Sequence, residues 1–436
     1  MHTDNSYILG TLTNGERVPL LRPDRRRHVY IVGQTGTGKT ELLTNLMRAD
    51  LESSAGFCFL DPHGDASRRI AGMTPRERTR GVIYLDPSDS TRTFAYNPLS
   101  GIPPDKRATA TANIVSAFKN IWAQSWGPRL EYILTNSLRL LLDTKDQSLL
   151  GLPLLLVDDT YRNWLVKRCD DPVIRAYWRN EYAAYDERHR TEAISPIQNK
   201  IGILLSNPFI RSILSQASST IDVREIMDTG RVLIVNLSKG RLGQEPSHLL
   251  GALLITAFAQ AAEGRQDTPE DGRRDFTLYC DEFQNFATDS FASILSEARK
   301  WRLSLVAANQ HVSQLPETLR HGVFGNTGTI IAFRVGAQDS ALLADELGMA
   351  NRRTLTQTDK YHAWIRLLRD GVPSDARLVR MLPPPTNGKQ FKSVIEFSRA
   401  RYMVPRSRVE KQIEGFFPRR SPARPRNRKR HRNPDA

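Results

Sequence analysis

The stretch Gly33-Gln34-Thr35-Gly36-Thr37-Gly38-Lys39-Thr40 decides the fold of this chain. It fits the pattern G-x-x-x-x-G-K-[ST], in which glycines free the backbone to wrap a phosphate chain with its N–H groups. His28-Val29-Tyr30-Ile31-Val32 before it reads as a buried strand, and Glu41-Leu42-Leu43-Thr44-Asn45-Leu46-Met47 after it reads as a helix. That strand–loop–helix context makes the match a nucleotide site rather than a chance turn. Lys39 is placed to reach β- and γ-phosphates and the Thr40 hydroxyl to ligate Mg2+, while the helix N-terminus adds a favourable field.

Working outward, further apolar runs carry polar residues at their C-terminal ends: Gly56–Leu60, Val82–Leu85, Val232–Leu237, Phe276–Cys280, Leu303–Ala307 and Thr329–Phe333. They are near-continuous rather than alternating, as expected of parallel strands covered on both faces. Helical patterns lie between several of them, including Leu249–Ala262 and Phe291–Arg299. A three-layer α/β domain follows, with its active edge at the strand C-termini. At the start, Tyr7–Leu21 reads as a hairpin about Asn14-Gly15, a pair suited to a tight turn. Tyr361–Leu368 leads to a turn at Arg369-Asp370-Gly371 and a short return through Ala376–Val379, and Pro383-Pro384-Pro385 closes the compact region.

Residues 104–227 differ. Leu130, Ile133, Leu134, Ser137, Leu138 and Leu141 keep helical spacing, as do Ile114, Ala117, Phe118 and Ile121. These stripes read as the core of an all-helical insertion. The expected organisation is thus a hairpin and the first part of the α/β domain over 1–103, the helical insertion over 104–227, the second part of the α/β domain over 228–400, and a basic tail without a fold over 401–436.

The bulk numbers suit a soluble protein of two or three domains: 436 residues, 39% hydrophobic and 25% charged. Net charge is +15, and residues 401–436 hold 12 Arg/Lys against 3 Asp/Glu, leaving +6 for the rest. Beyond Gly415 the chain is rich in Pro, Arg and Asn, too polar to bury a core and suited to a phosphate backbone or an anionic membrane surface. Cys58, Cys169 and Cys280 are far apart, and nothing suggests a disulfide framework or a zinc site, which fits a reducing cytosol. No apolar stretch is long enough to span a bilayer, and Met1–Asn5 is no signal peptide.

The second site is Phe276-Thr277-Leu278-Tyr279-Cys280-Asp281-Glu282, an apolar strand delivering two carboxylates. Paired with the phosphate loop, Asp281 would hold Mg2+ through water and Glu282 would orient or deprotonate the attacking water. Gln310, at the end of another strand, is placed to sense the γ-phosphate or position water. Asp61-Pro62-His63-Gly64-Asp65 is too small a set for a metal site and shapes a loop near the nucleotide. Asp86 has a similar strand-end place that structure alone explains. In a ring, Arg299 could point into the neighbouring subunit's γ-phosphate; Arg334 is its rival, and the sequence does not separate them.

With Tyr96-Asn97-Pro98-Leu99 and Asp281-Glu282-Phe283-Gln284-Asn285-Phe286 added to the phosphate loop and Leu60–Asp65, the chain resembles conjugative type IV secretion coupling ATPases, which belong with the HerA and FtsK pumps among RecA-like motors. Ser296–Gln310 and Gly325–Gly336 extend the likeness, which covers about residues 20–380. The resemblance implies a RecA-like P-loop NTPase core with an all-helical domain, assembled as a hexameric homo-oligomer that threads DNA using ATP and Mg2+. It puts the Walker Lys and Thr on Lys39 and Thr40, the Walker B acids on Asp281 and Glu282, the third-motif glutamine on Gln310 and the trans arginine on Arg299. Type IV secretion or relaxosome proteins are the implied partners. Membrane-bound coupling proteins carry transmembrane helices before the motor, whereas about 30 residues precede the loop here. The expected location is therefore cytoplasmic, with recruitment to the inner membrane through a partner as the alternative. Two other readings share the ATP-site residues: a motor that recruits or remodels protein substrates, and a nucleotide-dependent structural protein.

Overall fold

The computed structural model describes residues 6–286, 290–369 and 371–417. Among them the strands run, in chain order, β1 (Ser6–Thr11), β2 (Arg17–Leu21), β3 (Val29–Val32), β4 (Gly56–Asp61), β5 (Val82–Leu85), β6 (Arg92–Thr93), β7 (Val232–Asn236), β8 (Phe276–Cys280), β9 (Leu303–Asn309), β10 (Thr329–Ala332), β11 (His362–Arg366), β12 (Leu368–Arg369), β13 (Val372–Pro373), β14 (Arg377–Met381) and β15 (Val404–Pro405). Eleven of them form one sheet in the order β2-β1-β14-β11-β10-β3-β9-β8-β4-β7-β5. From β10 to β5 every pairing is parallel, and from β2 to β11 the strands are antiparallel. The apolar runs read in the sequence are these parallel strands.

Both faces of the parallel part are buried, which is why its strands lack polar alternation. In β4, Phe57 and Phe59 join one core, where the phosphate-loop helix Lys39–Glu52 contributes Leu42, Leu43, Leu46 and Met47. Cys58 and Leu60 point into the other, where the helix Gln244–Gly264 supplies Leu249, Leu250, Leu253 and Phe258. The Asn-Gly hairpin is β1–β2, with Gly15 at φ 84°.

Helices fill the chain between β6 and β7. Leu130, Ile133, Leu134, Ser137, Leu138 and Leu141 are all buried on the helix Pro128–Asp143. Acids and amides cap several of these helices: Asp158 accepts from the Tyr161 N–H, Asp186 from His189, Asn207 from Phe209 and Ile210, and Asp222 from Glu225. The entry and return of this region are laced together. Asn97 Nδ2 donates to the carbonyls of Gln147 and Ala217, and the Thr220 N–H donates to the Ala95 carbonyl.

The reading of 401–436 as a tail without a fold needs correcting over its first part. Val404–Pro405 pairs with Arg92–Thr93, and Arg406–Phe416 is a helix. Val409 and Ile413 bury an i, i+4 stripe, and Arg406 is buried with its guanidinium donating to the Pro208 carbonyl and to Ser212 Oγ while lying over the Phe209 ring. An arginine spent on carbonyls and an aromatic face reads as surface charge in a composition count. Residues 418–436, the most basic part, lie outside the described residues.

Candidate nucleotide site

Strand polarity brings the functional side chains to one edge. β3 lies beside β9, and β9 beside β8, all parallel, so the phosphate loop after β3, Gln310 after β9 and Asp281 after β8 leave the sheet at the same end. His63 follows β4, and Lys239 follows β7, on the next strands along.

The loop is closed by its own groups. The Lys39 ammonium donates to the Gly33 carbonyl at 2.6 Å and the Gln34 carbonyl at 3.2 Å, and Thr37 Oγ1 donates to the Gln34 carbonyl. Gly38 has φ 124°, and a Cβ there would come within 3.0 Å of Tyr361 Cδ1 and 3.1 Å of Phe333 Cε1, so only glycine fits. Burial lowers the pKa of Lys39, opposed by Asp281 and Glu282.

The second segment meets the first directly. Thr40 Oγ1 donates to Asp281 Oδ2 at 3.0 Å. Burial, reinforced by Asp61, raises the pKa of Asp281. Glu282 adopts a left-handed φ of 47° that turns its carboxylate toward three donors. His63 Nε2 and Lys239 Nζ each lie 3.0 Å from it, and Asn285 Nδ2 donates at 3.0 Å. The His63 hydrogen bond, then those of Lys239 and Asn285, hold the Glu282 carboxyl far below the usual glutamate range. Gln310 Nε2 donates to Thr35 Oγ1 at 2.8 Å, tying β9 to the loop. Thr35, Lys39, Thr40, Asp281, Glu282 and Gln310 line one cavity, together with Lys360 and Tyr361.

Other residues read from the sequence fall elsewhere. Asp61 accepts from the His63 and Ser67 N–H groups, so it shapes the loop. Asp86 accepts from the Ser88 N–H and from Arg241. Arg299 sits on the short turn Ala298–Trp301 before β9, at the edge opposite the cavity, where burial and then the charges of Arg27 and Arg26 act on it. Arg334 follows β10 at the same end of the sheet as the phosphate loop, exposed, its carbonyl accepting from the Gln34 N–H. Sequence reasoning missed Lys239, although it follows a strand already recognised. Lys360 and Tyr361 carried no signal, because only the sheet order brings the start of β11 to the phosphate loop.

Fold and site define a P-loop ATPase. The family described as "Helicase HerA, central domain" matches residues 7–254, and the chain belongs to it. A second family, "TraM recognition site of TraD and TraG", matches residues 275–371. The chain is similar to the type 4 coupling protein DotL of Legionella pneumophila, 23% identical over 368 residues, and spans 68% of itself but 45% of DotL. Among solved structures, the bacterial conjugative coupling protein TrwB aligns with TM-score 0.62 at 17% identity, over 88% of this chain and 90% of that one. VirB4 of Thermoanaerobacter pseudethanolicus aligns with TM-score 0.60 at 13% identity, over 87% and 97%. These two likenesses share the architecture of the core and its inserted helices. No helix among the described residues is long and apolar enough to cross a membrane.

Proposed function

We propose that this chain is an ATP-driven, ring-forming motor of the coupling type that moves DNA. The observation that carries the reading is the hydrogen bond from Thr40 to Asp281, which joins segments 241 residues apart at one cavity. Two hard oxygen donors beside a phosphate-binding loop suit Mg2+, which keeps several waters and takes the rest of its shell from phosphate. TrwB has been solved with the ATP analogue ADPNP and with ADP and Mg2+, which supports ATP and Mg2+ as the cofactors here. When bound, the metal supplies charge neutralisation along the triphosphate.

The chain's own residues do the rest. Gly33–Thr40 cradle the phosphates, and Lys39 donates to them instead of to the Gly33 and Gln34 carbonyls. Glu282, held ionised, accepts a hydrogen bond from the attacking water and orients it. Gln310 couples that water to the loop through Thr35. Arg299, at the far edge of the sheet, is the group a neighbouring subunit would receive. DNA is held by its backbone rather than its base edges. The site of action is the cytoplasm, at the inner membrane where type IV secretion or relaxosome proteins recruit the ring.

The test is steady-state ATP hydrolysis with single-stranded DNA, double-stranded DNA or neither, paired with mass determination in ATP. Stimulation by DNA and a hexamer mass are expected. A DNA-independent ATPase would move the reading to a protein-substrate motor, which the match of residues 275–371 to a protein-recognition family favours as the second choice.

A further inference from the structure

Tyr361 stands against the phosphate loop in a constrained backbone. Its φ of 63° lies in the left-handed region, which costs an aromatic residue energy and marks places where geometry serves a purpose. Both sides of the residue are fixed: its N–H donates to the Thr37 carbonyl, and its carbonyl accepts from the Met381 N–H, each at 2.9 Å. The ring packs on Gly38, at the point where the loop passes into its helix. Lys360 Nζ lies 4.8 Å from the ring centroid, a cation–π contact that holds the face in place. The residue is nevertheless 37% exposed and borders the same cavity as Lys39, Glu282 and Gln310. Phosphate binding and hydrolysis make no use of this ring.

We propose that Tyr361 is the nucleobase platform of the site, stacking the base of the triphosphate whose phosphates Gly33–Thr40 hold; this rests on the nucleotide reading above. With Lys360 over one face and 37% of the residue exposed, this ring beside a phosphate cradle matches a nucleotide's own layout of charge at one end and a flat π system at the other. The face is common to all bases, so it contributes affinity without reading a base edge. Adenine and guanine triphosphates depend on it alike.

The experiment compares binding of ATP, GTP and inorganic tripolyphosphate, each with Mg2+, to the full chain and to Tyr361→Ala and Tyr361→Phe. Loss of stacking weakens ATP and GTP by about tenfold in the alanine variant. Tripolyphosphate, which has no base, binds the alanine variant as it binds the parent and reports an intact loop. Tyr361→Phe restores both nucleotides. Equal losses for ATP and tripolyphosphate would make Tyr361 a prop of the loop and overturn the platform. Unchanged ATP affinity would overturn it too, as would a loss confined to one purine, which would mean an edge contact. If the parent chain bound neither ATP nor tripolyphosphate, the nucleotide site itself would fail, an outcome distinct from these.

Discussion

In the proposed mechanism Glu282 orients the attacking water, and its neighbours define what its carboxylate can do. Three donors at 3.0 Å stabilise its carboxylate, so it is a poor proton acceptor and a good acceptor of a water's hydrogen bond. The pair with His63 can be tested through the histidine. The hydrogen bond to Glu282 raises the His63 pKa, burial opposes it, and Glu282, Asp281 and Asp61 add attraction. A raised histidine favours the folded state fully below its ordinary value, about 6.5, and loses that contribution as pH rises through the raised value. Glu282, depressed, contributes above the ordinary glutamate range and loses its share as pH falls toward its own low value. The pair is therefore strongest between those limits. In nucleotide-free protein, the His63 ring proton followed by NMR should titrate above the ordinary value, and in Glu282→Gln it should return toward it. A parent His63 that already titrates normally would remove the pair. The same Glu282→Gln variant should still bind ATP while its turnover falls by about a hundredfold, the cost of a misplaced water, checked by equilibrium binding and steady-state hydrolysis.

Elements are tied to each other beneath the site by a second polar cluster. Asp50, on the phosphate-loop helix, is fully buried and accepts two hydrogen bonds from Arg25 at 3.0 Å, one from Tyr7 Oη on β1 and one from Tyr279 Oη on β8, both at 2.5 Å. It joins the edge hairpin, the helix and the strand that delivers Asp281. Asp50→Ala leaves the Arg25 charge buried without its counter-ion and should cost about 3–5 kcal/mol, read as a lower urea midpoint. Replacing both partners with apolar residues, Arg25→Met with Asp50→Leu, should recover part of that loss. A neutral Asp50→Ala would show that the cluster is dispensable. This tie was not legible in the sequence, because nothing there pairs residues 25 and 50 with 279. The parallel strands were legible, since burial on both faces leaves β4, β7, β8 and β9 almost free of polar residues. So was the placing of Asp281 and Gln310 at the sheet edge of the phosphate loop, since each directly follows such a strand. The helix Arg406–Phe416 was hidden by its arginines, and β15 by its length of two residues. Tyr361 was hidden by topology, since its neighbour Gly38 lies more than three hundred residues earlier.

For the molecule as a whole, the proposed DNA motor rests on charge and on assembly. Residues 418–436 carry eight Arg/Lys against one Asp, a surplus of seven. If they rest on DNA phosphates, deleting them should weaken DNA binding and flatten its salt dependence, by up to about 0.9 in the log–log slope for each duplex phosphate left without its cation. Equal slopes with and without the segment would reject that role. Assembly is tested by the position of Arg299. The polarity of β9 sets Arg299 before the strand and Gln310 after it, so one subunit cannot bring its own Arg299 to its own Lys39 without unfolding the strand. If Arg299 acts on a γ-phosphate, that phosphate therefore belongs to a neighbour in a head-to-tail ring. Lys39→Ala protein has no working site but keeps a working arginine, and Arg299→Ala protein has the reverse. Each alone should be inactive, with Arg299→Ala still binding ATP. Mixed and allowed to reassemble, the two should recover hydrolysis at interfaces where an intact loop faces an intact arginine. A mixture as inactive as its components, in rings shown by mass to contain both, would mean that Arg299 does not act across the interface, and the same experiment with Arg334→Ala would then test its rival.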